Sequence, residues 1–126
     1  MPKSVPEIAS GPDPVGPYSV ATEANGFVFL SGQVALDPKT GDRVDDTVGT
    51  EARTAMENIG AMLGDLGLGY EDIVKTTIFL TDMGDFAEVN EAYGSFFTGA
   101  PPARSTVAVA ALPLGFRVEI EIVATR

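Results

Sequence analysis

Arg104 is the residue whose type and setting most readily suggest chemistry. It follows Gly99-Ala100-Pro101-Pro102-Ala103 and opens an alternating segment. Prolines upstream and a strand downstream would hold its backbone firmly. A guanidinium presents a planar fork of donors that can grip a carboxylate through two parallel hydrogen bonds. Further along, Val118-Glu119-Ile120-Glu121 places two acids at alternate positions. A carboxylate beside a bound substrate can orient or deprotonate water. The same residues admit a plainer reading, in which Arg104 pairs with Glu119 or Glu121 for packing and the glutamates line a wet face. Tyr18, Ser31, Gln33 and Asn90 add hydrogen-bonding capacity. Ser31-Gly32-Gln33 at a strand end suggests a bulge or a ligand close to the backbone, because glycine lets groups approach.

The residues that are missing narrow the chemistry. The chain has no His, no Cys and no Trp. Disulfides, His- or Cys-based nucleophiles and His/Cys metal sites are therefore excluded. The acids show no calcium-loop spacing. Gly64, Gly67 and Gly69 make no phosphate loop, since no Gly-Lys-Ser/Thr follows. A formal net charge of −10 opposes docking on nucleic acid phosphates and on anionic membranes. No apolar run approaches the roughly 18–20 residues of a membrane span. Met1-Pro2-Lys3-Ser4-Val5-Pro6 lacks the apolar stretch of a signal peptide, so a cytoplasmic location is expected.

These residues need elements to position them, and 126 residues with 44% apolar content suit one domain, residues 1–126. Pro2, Pro6, Pro12, Pro14 and Pro17 make residues 1–17 an extended arm. Ser19–Glu23 and Phe27–Gln33 read as strands around an Asn25-Gly26 hairpin turn. Val48, Ala52, Ala55, Ile59, Met62 and Leu66 recur at helical spacing, with Asp45, Asp46 or Thr47 to cap the start and Gly67 to end it. Ile73–Leu80 is a β-branched strand. Phe86, Val89, Tyr93 and Phe96 or Phe97 share the face of a second helix, stopped by Gly99 and Pro101-Pro102. Arg104–Ala110 and Arg117–Thr125 alternate as strands. The order β-β-α-β-α-β-β predicts an α+β sheet with two helices on one face. If the last two strands form a hairpin around residues 111–116, parity puts Val107, Val109, Val118, Ile120 and Ile122 toward the helices. Arg104, Thr106, Ala108, Glu119 and Glu121 then share the open face. Water or a symmetric partner can cover that face.

The motifs resemble those of the RidA/YjgF family of reactive-intermediate deaminases, also called the endoribonuclease L-PSP-like family. The similarity runs from about Gly16 to Ala124 and is carried by several collinear segments. They are Gly16-Pro17-Tyr18-Ser19, Phe29-Leu30-Ser31-Gly32-Gln33, Asp37-Pro38-Lys39-Thr40-Gly41, Asp72-Ile73-Val74-Lys75-Thr76-Thr77, Asp85-Phe86-Ala87-Glu88-Val89-Asn90, Pro102-Ala103-Arg104-Ser105 and Val118-Glu119-Ile120-Glu121. The resemblance implies a chorismate-mutase-like fold and a homotrimer with its sheets toward the three-fold axis and active sites between subunits. It implies hydrolysis of 2-imino acids such as 2-iminopropanoate and 2-iminobutanoate to 2-oxo acids and ammonia, without cofactor or metal. Arg104 then matches the carboxylate-binding arginine and Glu119 the acid that holds the attacking water. Tyr18, Ser31, Gly32, Asn90 and Thr106 match pocket positions. Two departures stand out: Thr106 replaces a frequent Cys, and the loop Thr98-Gly99-Ala100-Pro101 is shorter than in many relatives. Regulatory binding of 2-oxo acids and RNA cleavage are the competing functions.

Overall fold

The computed structural model describes residues 2–126. It contains strands β1 (Ala21–Ala24), β2 (Phe27–Gln33), β3 (Ile73–Leu80), β4 (Ala103–Ala108) and β5 (Val118–Thr125), and helices α1 (Val48–Asp65) and α2 (Phe86–Gly94). The expected element order is present, with β4 and α2 ending earlier than expected. Asn25 and Gly26 both take positive φ, 52° and 82°, the backbone that suits a two-residue hairpin loop. Thr47 caps α1 by accepting from the Thr50 amide at 3.0 Å. At the other end Gly67, at φ 74°, lets the Leu68 amide reach back to Leu63 O at 2.9 Å, a glycine-dependent helix stop.

One face of the sheet is dry. The stripe Ala52, Ala55, Met56, Ile59, Met62 and Leu63 on α1 is fully buried. It packs, with Val89, Ala92 and Tyr93 of α2, on Val28, Leu30, Ile78, Leu80, Val118, Ile120, Ile122 and Ala124 of the sheet. Removing these side chains from water is the main stabilising term. Among the described residues, the opposite face carries no helix. Phe27, Phe29 and Val107 lie there at 44%, 45% and 41% exposure, next to Glu119 and Glu121. Among the described residues, no helix is long and apolar enough to cross a membrane.

The expected β4–β5 hairpin does not form. The sheet order is β1-β2-β5-β3-β4. β5 lies between β2 and β3, antiparallel to both, while β4 runs parallel to β3 at the edge. Two constraints explain this. A parallel neighbour needs a crossover, and α2 supplies one between β3 and β4. β5 also has the cleanest alternation, Val118, Ile120, Ile122 and Ala124, and gains most from a central place. The segment after β4 steps over the end of β3: the Val109 amide donates to Leu80 O at 2.7 Å, and the Thr81 amide donates to Arg117 O at 3.1 Å.

The change of partner reverses the face of β4. Register pairs Thr76 with Arg104 and Ile78 with Thr106, whereas Thr77 and Phe79 pair with Ser105 and Val107. Thr76 and Ile78 are buried on the helix side. Arg104 and Thr106 therefore point toward the helices, and Val107 joins Glu119 and Glu121 on the open face.

A buried acid fastens the start of β5. Glu51, 1% exposed on α1, accepts from the Arg117 amide at 2.9 Å and from Arg117 Nε. Arg117 Nη2 reaches Asp45 O at 2.7 Å. Arg117→Met strands a buried carboxylate and is expected to lower stability by about 2–4 kcal/mol. Urea unfolding of the single variant and of Glu51→Leu/Arg117→Met measures it, with the double variant recovering part of the loss.

Candidate functional site

The site residues fall into two clusters. The first surrounds a cavity of about 340 Å³ beside the bulged end of β2, with Tyr18, Ser31, Gly32, Gln33, Glu119 and Glu121 in its walls. Between Leu30 and Gln33 the pairing with β5 slips. Such a bulge bends a strand and re-aims its side chains. Ser31 Oγ donates to Ser19 O at 2.6 Å, and Gln33 Nε2 donates to Ser31 O at 3.1 Å, so the bulge is braced on both sides. Tyr18 Oη accepts from the Val15 amide at 3.2 Å and ties the arm to the rim. Pro12, Asp13, Pro14 and Val15 of the arm form one wall, and Pro113 and Leu114 form another. Part of the arm thus belongs to the site.

Gly32 has a sharper role than backbone access. A Cβ at this position would lie 2.7 Å from Glu119 Cδ and 2.9 Å from Glu119 Oε2. Only glycine leaves room for the Glu119 carboxylate to lie over the bulge. Glu119 is half-buried, and burial together with the neighbouring Glu121 charge raises its pKa above the usual carboxylate value. A carboxyl held in this way is poised to take up and release a proton. Asp13 lines the same cavity, so this wall is acidic and repels anions. Among the described residues, no group of three or more Asp or Glu side chains is arranged to hold a metal ion.

The second cluster lies on the other side of the sheet, where β4 meets α2. Arg104 Cζ sits 5.1 Å from the Tyr93 ring centroid and 5.5 Å from that of Phe86. Among the described residues no carboxylate lies within ion-pair distance of it, whereas Arg43, Arg117 and Arg126 each have one. The packing ion pair of Arg104 with Glu119 or Glu121 is not formed. Asn90 lies between Phe86 and Tyr93 at helical spacing and so shares the α2 face turned to Arg104. Two residues beyond Arg104, Thr106 Oγ1 is buried without a hydrogen-bond partner among the described residues. An orphan hydroxyl of this kind is costly.

Arg104 and Glu119 thus do not share a face, contrary to the strand-parity expectation. A hairpin with β5 would set the opposite parity for β4; the parallel pairing with β3 reverses it. Phe86 and Tyr93 were legible as core-facing residues of α2, but their contact with Arg104 was not. The aromatic spacing was visible, but the parallel pairing that aims Arg104 at it is a long-range property.

The layers and the two clusters define a two-layer α+β domain whose cation and acid are carried on opposite sheet faces. Residues 8–126 match the family model described as Endoribonuclease L-PSP, and the chain belongs to this RidA/YjgF family. It is 53% identical to "Protein DfrA" of Myxococcus xanthus over 115 residues, 90% of this chain and 88% of that protein. It is 44% identical to the mouse (Mus musculus) "2-iminobutanoate/2-iminopropanoate deaminase" over 124 residues, 98% of this chain and 92% of that one. Among solved structures, a conserved Rid-family protein of unknown function, YyfA from Yersinia pestis, superposes with a TM-score of 0.94 at 44% identity, covering 99% of this chain and 100% of that chain.

The raised Glu119 pKa has a thermodynamic sign. A carboxyl that binds its proton more tightly in the folded state costs stability once it ionises, and the cost disappears where it is protonated both folded and unfolded. Glu119→Gln is expected to raise the unfolding midpoint at neutral pH. The gain should shrink to nothing as pH falls through the raised value and then below the ordinary glutamate range. Thermal unfolding of both proteins across that window checks it.

Proposed function

We propose that this protein hydrolyses reactive 2-imino acids, such as 2-iminopropanoate and 2-iminobutanoate, to 2-oxo acids and ammonia, at sites completed between subunits of a homotrimer. The observation that carries the reading is the division of the site. An unneutralised arginine beside an orphan hydroxyl faces one way, and a proton-accepting glutamate in an anion-repelling cavity faces the other. A substrate with a carboxylate beside an electrophilic imine carbon needs both. Arg104 and Glu119 cannot converge within one subunit, because they stand on opposite faces of the sheet. A neighbouring copy packed on the open face, where Phe27, Phe29 and Val107 are exposed, can present its own Arg104 edge to the Glu119 cavity. The names of relatives at 43–46% identity support the chemistry.

In this reading Arg104 grips the substrate carboxylate through its fork, with Thr106 Oγ1 and Asn90 supplying further polar contacts. Tyr18, Ser31 and the Gly32 backbone line the other side. The imine carbon is already electrophilic, so no covalent nucleophile is needed. Water held by Glu119 adds its oxygen to that carbon and gives a proton to the carboxylate. With the imine entering protonated, Glu119 returns that proton to the nitrogen of the adduct, the carbon–nitrogen bond breaks, ammonia leaves, and the hydroxyl proton passes to Glu119 as the carbonyl forms. Fixing the carboxylate and the water relative to each other supplies much of the acceleration. Protonating the nitrogen favours departure as ammonia.

Regulatory binding of 2-oxo acids predicts binding without turnover, and RNA cleavage is opposed by a net charge of −10. The test couples a serine or threonine dehydratase to semicarbazide trapping of the imine. Wild type is expected to outcompete the trap and release oxo acid, and Arg104→Ala to lose at least about tenfold in that competition. Equal trapping with and without wild-type protein would refute the proposal.

A further inference from the structure

An arginine that must bind an incoming carboxylate faces a conflict. Left in water, its long side chain must be ordered on each binding event, at an entropic cost. Paired with a carboxylate of its own chain, it is ordered but its donors are occupied. Arg104 meets neither condition. Its guanidinium lies over two aromatic rings, and a ring attracts a cation through its face without using the N–H groups in the guanidinium plane.

Tyr93 is built to hold its position. It is 4% exposed, and its hydroxyl shares a 2.8 Å hydrogen bond with Thr76 Oγ1. Thr76 is fully buried and is the register partner of Arg104 across β3 and β4. The hydroxyl is therefore anchored to the residue opposite the arginine that the ring supports. Phe97 also packs on Tyr93, with ring centroids 5.0 Å apart. Phe86 is 38% exposed and has no comparable anchor.

We propose that Tyr93 is a positioning residue for Arg104: its ring, locked by Thr76 and packed by Phe97, holds the guanidinium by its face and leaves the donor fork free, with Phe86 as a second support. The proposal rests on the reading of Arg104 as the carboxylate-binding group. It assigns Tyr93 no contact with the reacting atoms. The ring matters and the hydroxyl only orients it, so Tyr93→Phe should keep most of the function.

The test uses the full-length protein and two readouts. In proton–nitrogen NMR of the arginine Nε–Hε groups, the Arg104 signal is identified by its loss in Arg104→Ala. It is expected upfield of Arg53, Arg117 and Arg126 through ring currents, as the Arg43 signal over Phe116 is too, to move toward those three in Tyr93→Leu and in Phe86→Leu, and to stay in Tyr93→Phe. In calorimetry with 2-oxobutanoate and in the imine-trapping assay, Tyr93→Leu is expected to weaken binding and raise KM by about fivefold, with kcat changed far less. It should have no further effect in the Arg104→Ala background. Should Tyr93→Leu fail to fold, Phe86→Leu and the wild-type signal carry the test. An Arg104 signal that no Leu variant moves, or a Tyr93→Phe variant as weak as Tyr93→Leu, overturns the proposal. A ring-shifted, responsive signal in a protein that neither binds 2-oxobutanoate nor turns over imine would support the positioning role and refute the function proposed above.

Discussion

The parallel pairing of β4 with β3 turns Arg104 toward α2 and away from every acid on the open face. Had β4 folded back as a hairpin on β5, Arg104 would have stood beside Glu119 and Glu121, and a neutral packing pair would have been the natural outcome. As β4 is instead led by α2 to the outer side of β3, the guanidinium meets the rings of Phe86 and Tyr93. Its charge is stabilised there without being cancelled. The same pairing leaves Glu119 on the opposite face, where Gly32 alone makes room for its carboxylate.

Electrostatics then shapes what each half can do. The cavity holds Asp13, Glu119 and Glu121 in its walls, and burial with a like charge nearby raises the Glu119 pKa above the ordinary carboxylate value. Such a place suits water, a protonated nitrogen and proton exchange, and it disfavours a free carboxylate. The Arg104 edge has the opposite character, with an unpaired cation and the unsatisfied Thr106 hydroxyl. A zwitterion-like substrate, anionic at one end and cationic at the imine, matches the two surfaces only when they are brought face to face. The apolar side chains left on the open sheet face give a second copy a physical reason to supply that arrangement.

Much of this was legible from local pattern. The helical stripe of α1, the Asn25-Gly26 turn and the alternation of Val118 to Ala124 each reflect neighbours close in sequence, and the elements follow. The covered and uncovered faces of β5 were also readable, since its period is unambiguous. The face of β4 was not, because Arg104 to Ala108 mixes polar and small residues and its parity depends on a partner far away in the chain. The site residues were recognisable by motif, yet their separation onto two faces was invisible until the strand order was known. Gly32 was visible as a site glycine, but the carboxylate that requires it lies on another strand.

The central claim is that one subunit supplies Arg104 and its neighbour supplies Glu119. Mixing inactive Arg104→Ala and Glu119→Gln proteins, with subunit exchange by mild denaturation and refolding, tests it directly. In a mixed assembly some interfaces join an intact Arg104 from one variant to an intact Glu119 from the other, so imine hydrolysis should return to about a quarter of the wild-type rate at equal mixing. A mixture whose exchange is verified by mass but which stays as inactive as its parents would contradict the account.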